Sequence, residues 1–222
     1  MKVSADVVRR TIEGLSLGLL EGGIAIDMNK AICLGQPEGK TLVTWASTGI
    51  STAFTDLPFA TVGEYLELVS ARQFTVLLLD GALLQISYTV QGGDVIGHRL
   101  CWYPCPGEIR EEDLELASIE EIVSCAPIGD VKCRGPIRFD FKAGEGTDGH
   151  SPSHLHLSEA ECRIPVRGPL DLATFSTFVL RNFYPDLWPT RRAFVNTPVW
   201  HPEVTISDEE ALSPHLHWRT AI

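Results

Sequence analysis

The densest run of chemically capable side chains is "HSPSHLHL", His150 to Leu157, where three of the seven histidines fall within seven positions. Imidazole titrates near neutrality, and it also ligates metals. If "SHLHL" is a strand, His154 and His156 stand two positions apart and share a face. Two imidazoles on one face form an acid/base pair or two ligands of a metal. His150, in the preceding loop, would add a third nitrogen. The plain alternative is a strand whose histidines bond core carbonyls or sit at the surface.

A second run lies just upstream. In "IRFDF", period-two alternation puts Ile137, Phe139 and Phe141 on one face and Arg138 with Asp140 on the other. An eleven-residue loop separates this strand from "SHLHL", so the two are expected to be neighbours. One surface would then hold two histidines, an arginine and an aspartate. Arginine stabilises charge on phosphorus and imidazole moves protons, which together suit metal-independent RNA cleavage. With Asp140 as a ligand, the same residues suit a His/carboxylate centre for a divalent metal. A cross-strand Arg–Asp ion pair is the alternative. The candidate catalytic residues are therefore His154, His156, Arg138 and Asp140. The candidate metal ligands are His150, His154, His156 and Asp140. Around them, Arg163, His98, Arg99, Arg181 and Tyr184 are candidate substrate contacts. Arg163 flanks a strand near the cluster, and Arg99 shares a strand face with Cys101 and Tyr103. Asp80 stands in a turn, where aspartate is common for conformational reasons.

Composition narrows the partners. The chain carries 18 Lys+Arg and 29 Asp+Glu, a formal net charge of −11. That balance excludes a general nucleic-acid coat, which needs cationic surface, but leaves room for a local basic cleft. Between Lys132 and Arg192 nine basic residues meet seven acids, and this half holds the histidines. Acid concentrates instead in "EIREEDLELASIEE" (Glu108 to Glu121). No apolar run is long enough to span a membrane, and the first residues do not read as a secretory signal, so a cytoplasmic location is expected. The six cysteines lack CxxC spacing and are expected mostly as small buried hydrophobes. No P-loop, GxGxxG, GxSxG or HExxH motif occurs, so no nucleotide cofactor is expected.

The elements that must position these residues read as α+β. Val3 to Leu20 carry apolar residues at helical spacing up to Gly22-Gly23. "AICLG" and "KTLVTWAS" read as strands around "QPEG", and Thr61 to Gln73 as a helix. "FTVLLLDGALLQISYTVQGGDVIGHRLCWYPCP" reads as a three-stranded meander with turns at Asp80-Gly81 and Gly92 to Asp94. A charged helix over "GEIREEDLELASIEEIVSC", strands at "PIRFDF", "SHLHL" and "ECRIPV", and a helix over "GPLDLATFSTFVLRNFYP" follow. Ser207 and Glu210 have capping-box spacing. The order predicts one domain over residues 1–222, built on a mainly antiparallel sheet of six to eight strands with helices packed on it. A Pro- and aromatic-rich arm is expected at about residues 184–205, with Trp188 and Trp200 exposed, before a terminal helix.

The runs "LLLDGALLQISY…HRLCWYPCP", "IRFDF", "HSPSHLHL", "CRIPV-RGPL" and "F-FVLRNFYP" resemble, in that order, a bacterial family known as domain of unknown function 2290. The resemblance covers the chain from about residue 5 onward. It implies a bacterial protein, in a defence or toxin-like setting suggested by the family's scattered occurrence. Two functions stay open. One is a phosphodiester-cleaving enzyme acting on RNA or DNA. The other is a non-catalytic subunit that binds a larger protein partner, for which the acidic helix and the aromatic arm suit a docking surface.

Overall fold

The computed structural model describes residues 2–46, 61–146, 151–157, 162–187, 200 and 203–217. Helix α1 (Ala5–Glu21) opens with Ser4, whose hydroxyl accepts from the Val7 amide, and buries Val8, Ile12, Leu15 and Leu19 along one stripe. That spacing of four, three and four is the apolar face of a surface helix. Gly23, at φ 67°, takes the left-handed conformation that ends it cheaply.

Nine strands follow among the described residues: β1 (Ala25–Met28), β2 (Ala31–Gln36), β3 (Lys40–Trp45), β4 (Val76–Leu78), β5 (Leu83–Gln91), β6 (Asp94–Tyr103), β7 (Ile137–Lys142), β8 (Ser153–Leu157) and β9 (Ile164–Pro165). They form one sheet in the order β1-β4-β5-β6-β7-β8-β9, and every pairing is antiparallel. The β2–β3 hairpin joins through β5: β4 takes Leu83 and Leu84, and β3 takes Tyr88 to Val90. Between β5 and β6, Gly92 and Gly93 have φ 60° and 90°, as a two-residue hairpin turn requires. Strand β1 was not expected from the sequence, and it brings the sheet past eight strands.

The helices are α2 (Val62–Ser70), α3 (Glu111–Leu114), α4 (Ile119–Cys125), α5 (Leu172–Phe183) and α6 (Asp208–Ala211). The single charged helix expected over "GEIREEDLELASIEEIVSC" is two short ones. Ser118 starts α4 with a capping box to Glu121, an N-terminal signal placed in the middle of the run. Ser207 and Glu210 form a capping box as their spacing predicts.

Strand alternation sorts the side chains onto two faces. On the first, Leu84, Ile86, Tyr88, Leu100, Trp102, Phe139 and Leu155 form a core with the buried stripes of α1 and α5. Phe139 meets Phe178 edge-on at 5.2 Å, and Trp102 stacks on Phe183 at 3.9 Å. On the second face, Leu83, Cys101 and Tyr103 form a smaller core with Tyr65, Leu68 and Val69 of α2 and Ile119 and Val123 of α4. That core covers only part of the face. The result is a single α+β domain, mainly apolar on one side and half polar on the other.

Two expectations about burial are corrected. Cys101 and Cys105 are buried, but Cys33, Cys125 and Cys133 are exposed, because they stand on an edge strand or on short surface helices and loops. Trp200 is buried and packs edge-on against Tyr88 at 5.1 Å, so it completes the first core instead of standing out. Trp188 and most of the arm lie outside the described residues.

Candidate functional site

The polar part of the second face is assembled by register. β7 and β8 pair directly, with Arg138 opposite His156 and Asp140 opposite His154. On the other side of β7, Arg99 is opposite Asp140 and Cys101 opposite Arg138. Directly opposed residues in an antiparallel pair hold their Cβ atoms roughly 5 Å apart. Two residues from each of three strands thus form a grid of Arg99, Cys101, Arg138, Asp140, His154 and His156.

Within this grid the polar ends converge. The two imidazoles meet through their Nε2 atoms at 2.9 Å. His154 Nδ1 lies 2.8 Å from the Ser151 carbonyl oxygen. A carbonyl only accepts, so Nδ1 carries the proton and Nε2 of neutral His154 presents its lone pair. His156 Nε2 then donates to it. Asp140 Oδ2 lies 3.6 Å from His156 Nε2, too far for a hydrogen bond, and 3.1 Å from Arg138 Nε. Arg99 reaches the same oxygen at 3.9 Å. The other carboxylate oxygen, Oδ1, is buried and has no hydrogen-bond partner. His154 and His156 are buried, whereas the Arg99 side chain is 42% exposed. The centre therefore meets solvent at its Arg99 end. Burial pushes the Asp140 carboxyl up from its ordinary range, and the Arg138 and Arg99 guanidiniums pull it back.

A 2.9 Å contact changes what the histidines can do. Separate acid and base groups need room for a phosphate between them. Rings in direct contact leave none, so His154 and His156 cannot flank a phosphate as separate acid and base.

The remaining candidates divide. Arg163 is exposed and immediately precedes β9. Since Leu155 pairs with Ile164, continuing the register by one step sets Arg163 opposite His156, at the edge of the same face. His98 is corrected: it lies on the opposite face, buried. Its Nδ1 donates to the Phe139 carbonyl at 3.2 Å and its Nε2 accepts from the Leu170 amide at 2.9 Å. Burial holds its pKa down at about 3, so the ring is neutral. Tyr184 is corrected too. Its hydroxyl donates to the Asp80 carboxylate at 3.0 Å and accepts from Trp102 Nε1 at 3.2 Å, an anchor between α5 and the β4–β5 turn. Arg181 is exposed in the last turn of α5, whose buried stripe packs on the first face, away from the grid. His150 lies outside the described residues.

Glu64 was missed. It is buried at 7% exposure on α2, and neither carboxylate oxygen has a hydrogen-bond partner. Burial first, together with the Asp140 and Glu64 carboxylates against Arg138, pushes the Cys101 thiol up to about 12. Glu64 thus belongs to the border between the small core and the polar grid. The available signal was its place in "TVGEYLEL", four residues before Leu68 on the buried side of the helix. Gln85 and Ser87, also buried, continue the polar row on β5.

No helix among the described residues is long and apolar enough to cross a membrane. A family model described as an uncharacterized conserved protein (DUF2290) matches residues 26–218. No curated protein and no solved structure matches the chain.

Proposed function

For a chain that belongs to the DUF2290 family, we propose phosphodiester cleavage, with RNA as the substrate class, at the grid of Asp140, His154, His156, Arg138 and Arg99. The observation that carries this reading is the meeting of two imidazole Nε2 atoms and one carboxylate oxygen beside two guanidiniums, at one end of a largely buried face. Arginine forks hold phosphate oxygens and offset the charge that builds on them during attack. The Asp140–His154–His156 centre takes the proton from the attacking oxygen. A new P–O bond forms, the bond to the leaving oxygen breaks, and that oxygen takes up a proton from water. Arg163 extends the cationic edge toward the next phosphate. A bacterial defence or toxin-like setting is part of the same proposal and is supported by the family resemblance.

The test uses the purified full chain with single-stranded RNA, single-stranded DNA and bis(p-nitrophenyl) phosphate. Cleavage of RNA is expected, with His156→Ala abolishing it and Arg138→Ala lowering kcat/KM by about 100-fold or more, the scale of losing one charge-stabilising donor. Both variants should keep the wild-type circular dichroism spectrum. A wild-type protein that leaves all three substrates intact overturns the reading.

One observation favours a second reading, a non-catalytic partner-binding subunit. Leu116 and Ile128 are 88% and 93% exposed, and they lie in or just beyond the acidic segment. On this reading Leu116→Glu and Ile128→Glu abolish function in cells, while His156→Ala leaves it unchanged.

A further inference from the structure

We infer that Asp140 Oδ2, His154 Nε2 and His156 Nε2 form a binding site for one divalent transition-metal ion. The inference deepens the hydrolytic reading of this grid, but its first readout is metal binding itself. Its basis is distance. Ligands held at ~2.0–2.1 Å from a metal stand ~3.0 Å apart at right angles and ~3.4 Å apart in a tetrahedron. The two nitrogens are 2.9 Å apart and the carboxylate oxygen is 3.6 Å from His156 Nε2. The three ligand atoms all lie within 4.8 Å of one another, so the widest pair has to close by at most ~1.4 Å to reach tetrahedral spacing, within the reach of a side-chain rotation.

Three further features fit. The Ser151 carbonyl takes the His154 Nδ1 proton, leaving Nε2 as the donor atom, which is how metal-bound histidines are usually fixed; His156 Nε2 carries a proton toward His154 in the metal-free protein, and that ring takes its Nδ1–H tautomer when it ligates the ion. Asp140 Oδ1 is buried without a hydrogen-bond partner, a cost that an ion drawing on both carboxylate oxygens would remove. All three ligands project from two paired strands, so the set is held before the metal arrives.

Donor chemistry names the metal class. Two imidazoles and one carboxylate suit zinc, cobalt, manganese or ferrous iron, and suit magnesium or calcium poorly. Three protein ligands leave at least one position for water or a substrate oxygen, the pattern of a catalytic site. Bound there, such an ion lowers the pKa of a coordinated water toward neutrality. Cys101, Arg138, Arg99 and Glu64 face the same region. The Cys101 thiol is not counted among the ligands, since it stands one strand away, opposite Arg138. Arg138 and Arg99 oppose the cation but turn toward an anion that enters with it.

The experiment titrates chelator-treated, dialysed full-length protein with Zn²⁺ by calorimetry and with Co²⁺ by visible absorption. One equivalent is expected, with cobalt d–d bands and no thiolate charge-transfer band. Asp140→Asn, which keeps the side chain's shape, should weaken binding at least tenfold, and His156→Ala at least a hundredfold. His217→Ala, at an exposed histidine far along the chain, should change nothing. Should a variant be unfolded, the wild type's metal-induced rise in Tm, absent for Mg²⁺, serves in its place. Folded wild-type protein that takes up no metal, or binding unaltered in both centre variants, overturns the inference. Metal binding without RNA cleavage would leave this site standing and remove the hydrolytic reading. RNA cleavage by folded protein that takes up no Zn²⁺ or Co²⁺ would do the reverse.

Discussion

His98 and His154 lie on opposite faces of the same sheet and are tied to the chain in different ways. His98 has both ring nitrogens committed to backbone groups, Phe139 and Leu170, so it serves the fold. His154 commits only Nδ1 to backbone and turns Nε2 toward a second imidazole. Replacing His98 by Leu strands a carbonyl and an amide in the core, and a loss of roughly 2–6 kcal/mol is expected, at 1–3 kcal/mol for each buried group left unmade. Denaturant unfolding measures it. The same ring sets a pH dependence. Its pKa falls from 6.5 to about 3 on folding, so the unfolded chain binds the proton more readily. Its contribution is fully present above pH 6.5 and is lost as pH falls toward 3. The stability of the His98→Leu variant should fall less steeply across that window. A wild-type curve no steeper than the variant's would remove His98 from the account of acid sensitivity.

At the scale of elements, the grid exists because three consecutive antiparallel partners keep one register. A one-residue slip of β8 would send both imidazoles into the first core and bring Leu155 out. The registers of β5 and β6 matter equally, and their turns are constrained. Gly81, at the β4–β5 turn, has φ +81°, and an added Cβ would lie 2.9 Å from Cys105 Sγ and 3.0 Å from the Tyr65 hydroxyl. Gly81→Ala is therefore expected to cost about 2 kcal/mol or more, from left-handed strain plus the clash. In a Cys105→Ala background the added cost should shrink but not vanish, because the strain remains. Equal costs in both backgrounds would mean that the contact with Cys105 carries no energy. Tyr184 acts at this scale as well, tying the end of α5 to the same turn through Asp80.

For the whole molecule, charge and architecture pull in different directions. A net charge of −11 repels a polyanion over most of the surface, while Arg99, Arg138 and Arg163 stand along one face, spread from β6 to the residue before β9. Binding of single-stranded RNA should therefore be local. If two phosphates are neutralised, log K should fall against log salt with a slope of about −1.4, at roughly −0.7 per phosphate. Fluorescence anisotropy across a salt series measures this. A slope several times steeper would point to a broad cationic track that this charge distribution does not supply.

The sequence by itself determined the α+β class, the meander, α1, α5 and the alternation that puts Arg138 with Asp140 and His154 with His156. Each is a local matter of period, turn chemistry or capping. It also foresaw that "IRFDF" and "SHLHL" would be neighbours, since a short loop between two strands favours pairing them. What only the tertiary structure decided was which polar residues meet. The strand pattern showed His98 and Arg99 pointing to opposite faces, but not that α5 and Leu170 would bury His98 while Arg99 stayed half open. Glu64 looked like an ordinary helix glutamate until α2 was laid on the sheet. The approach of two imidazoles to 2.9 Å depends on side-chain torsions and strand twist, which residue spacing does not carry. Spacing assigned each side chain to a face, and packing of the two layers decided which of them became a site.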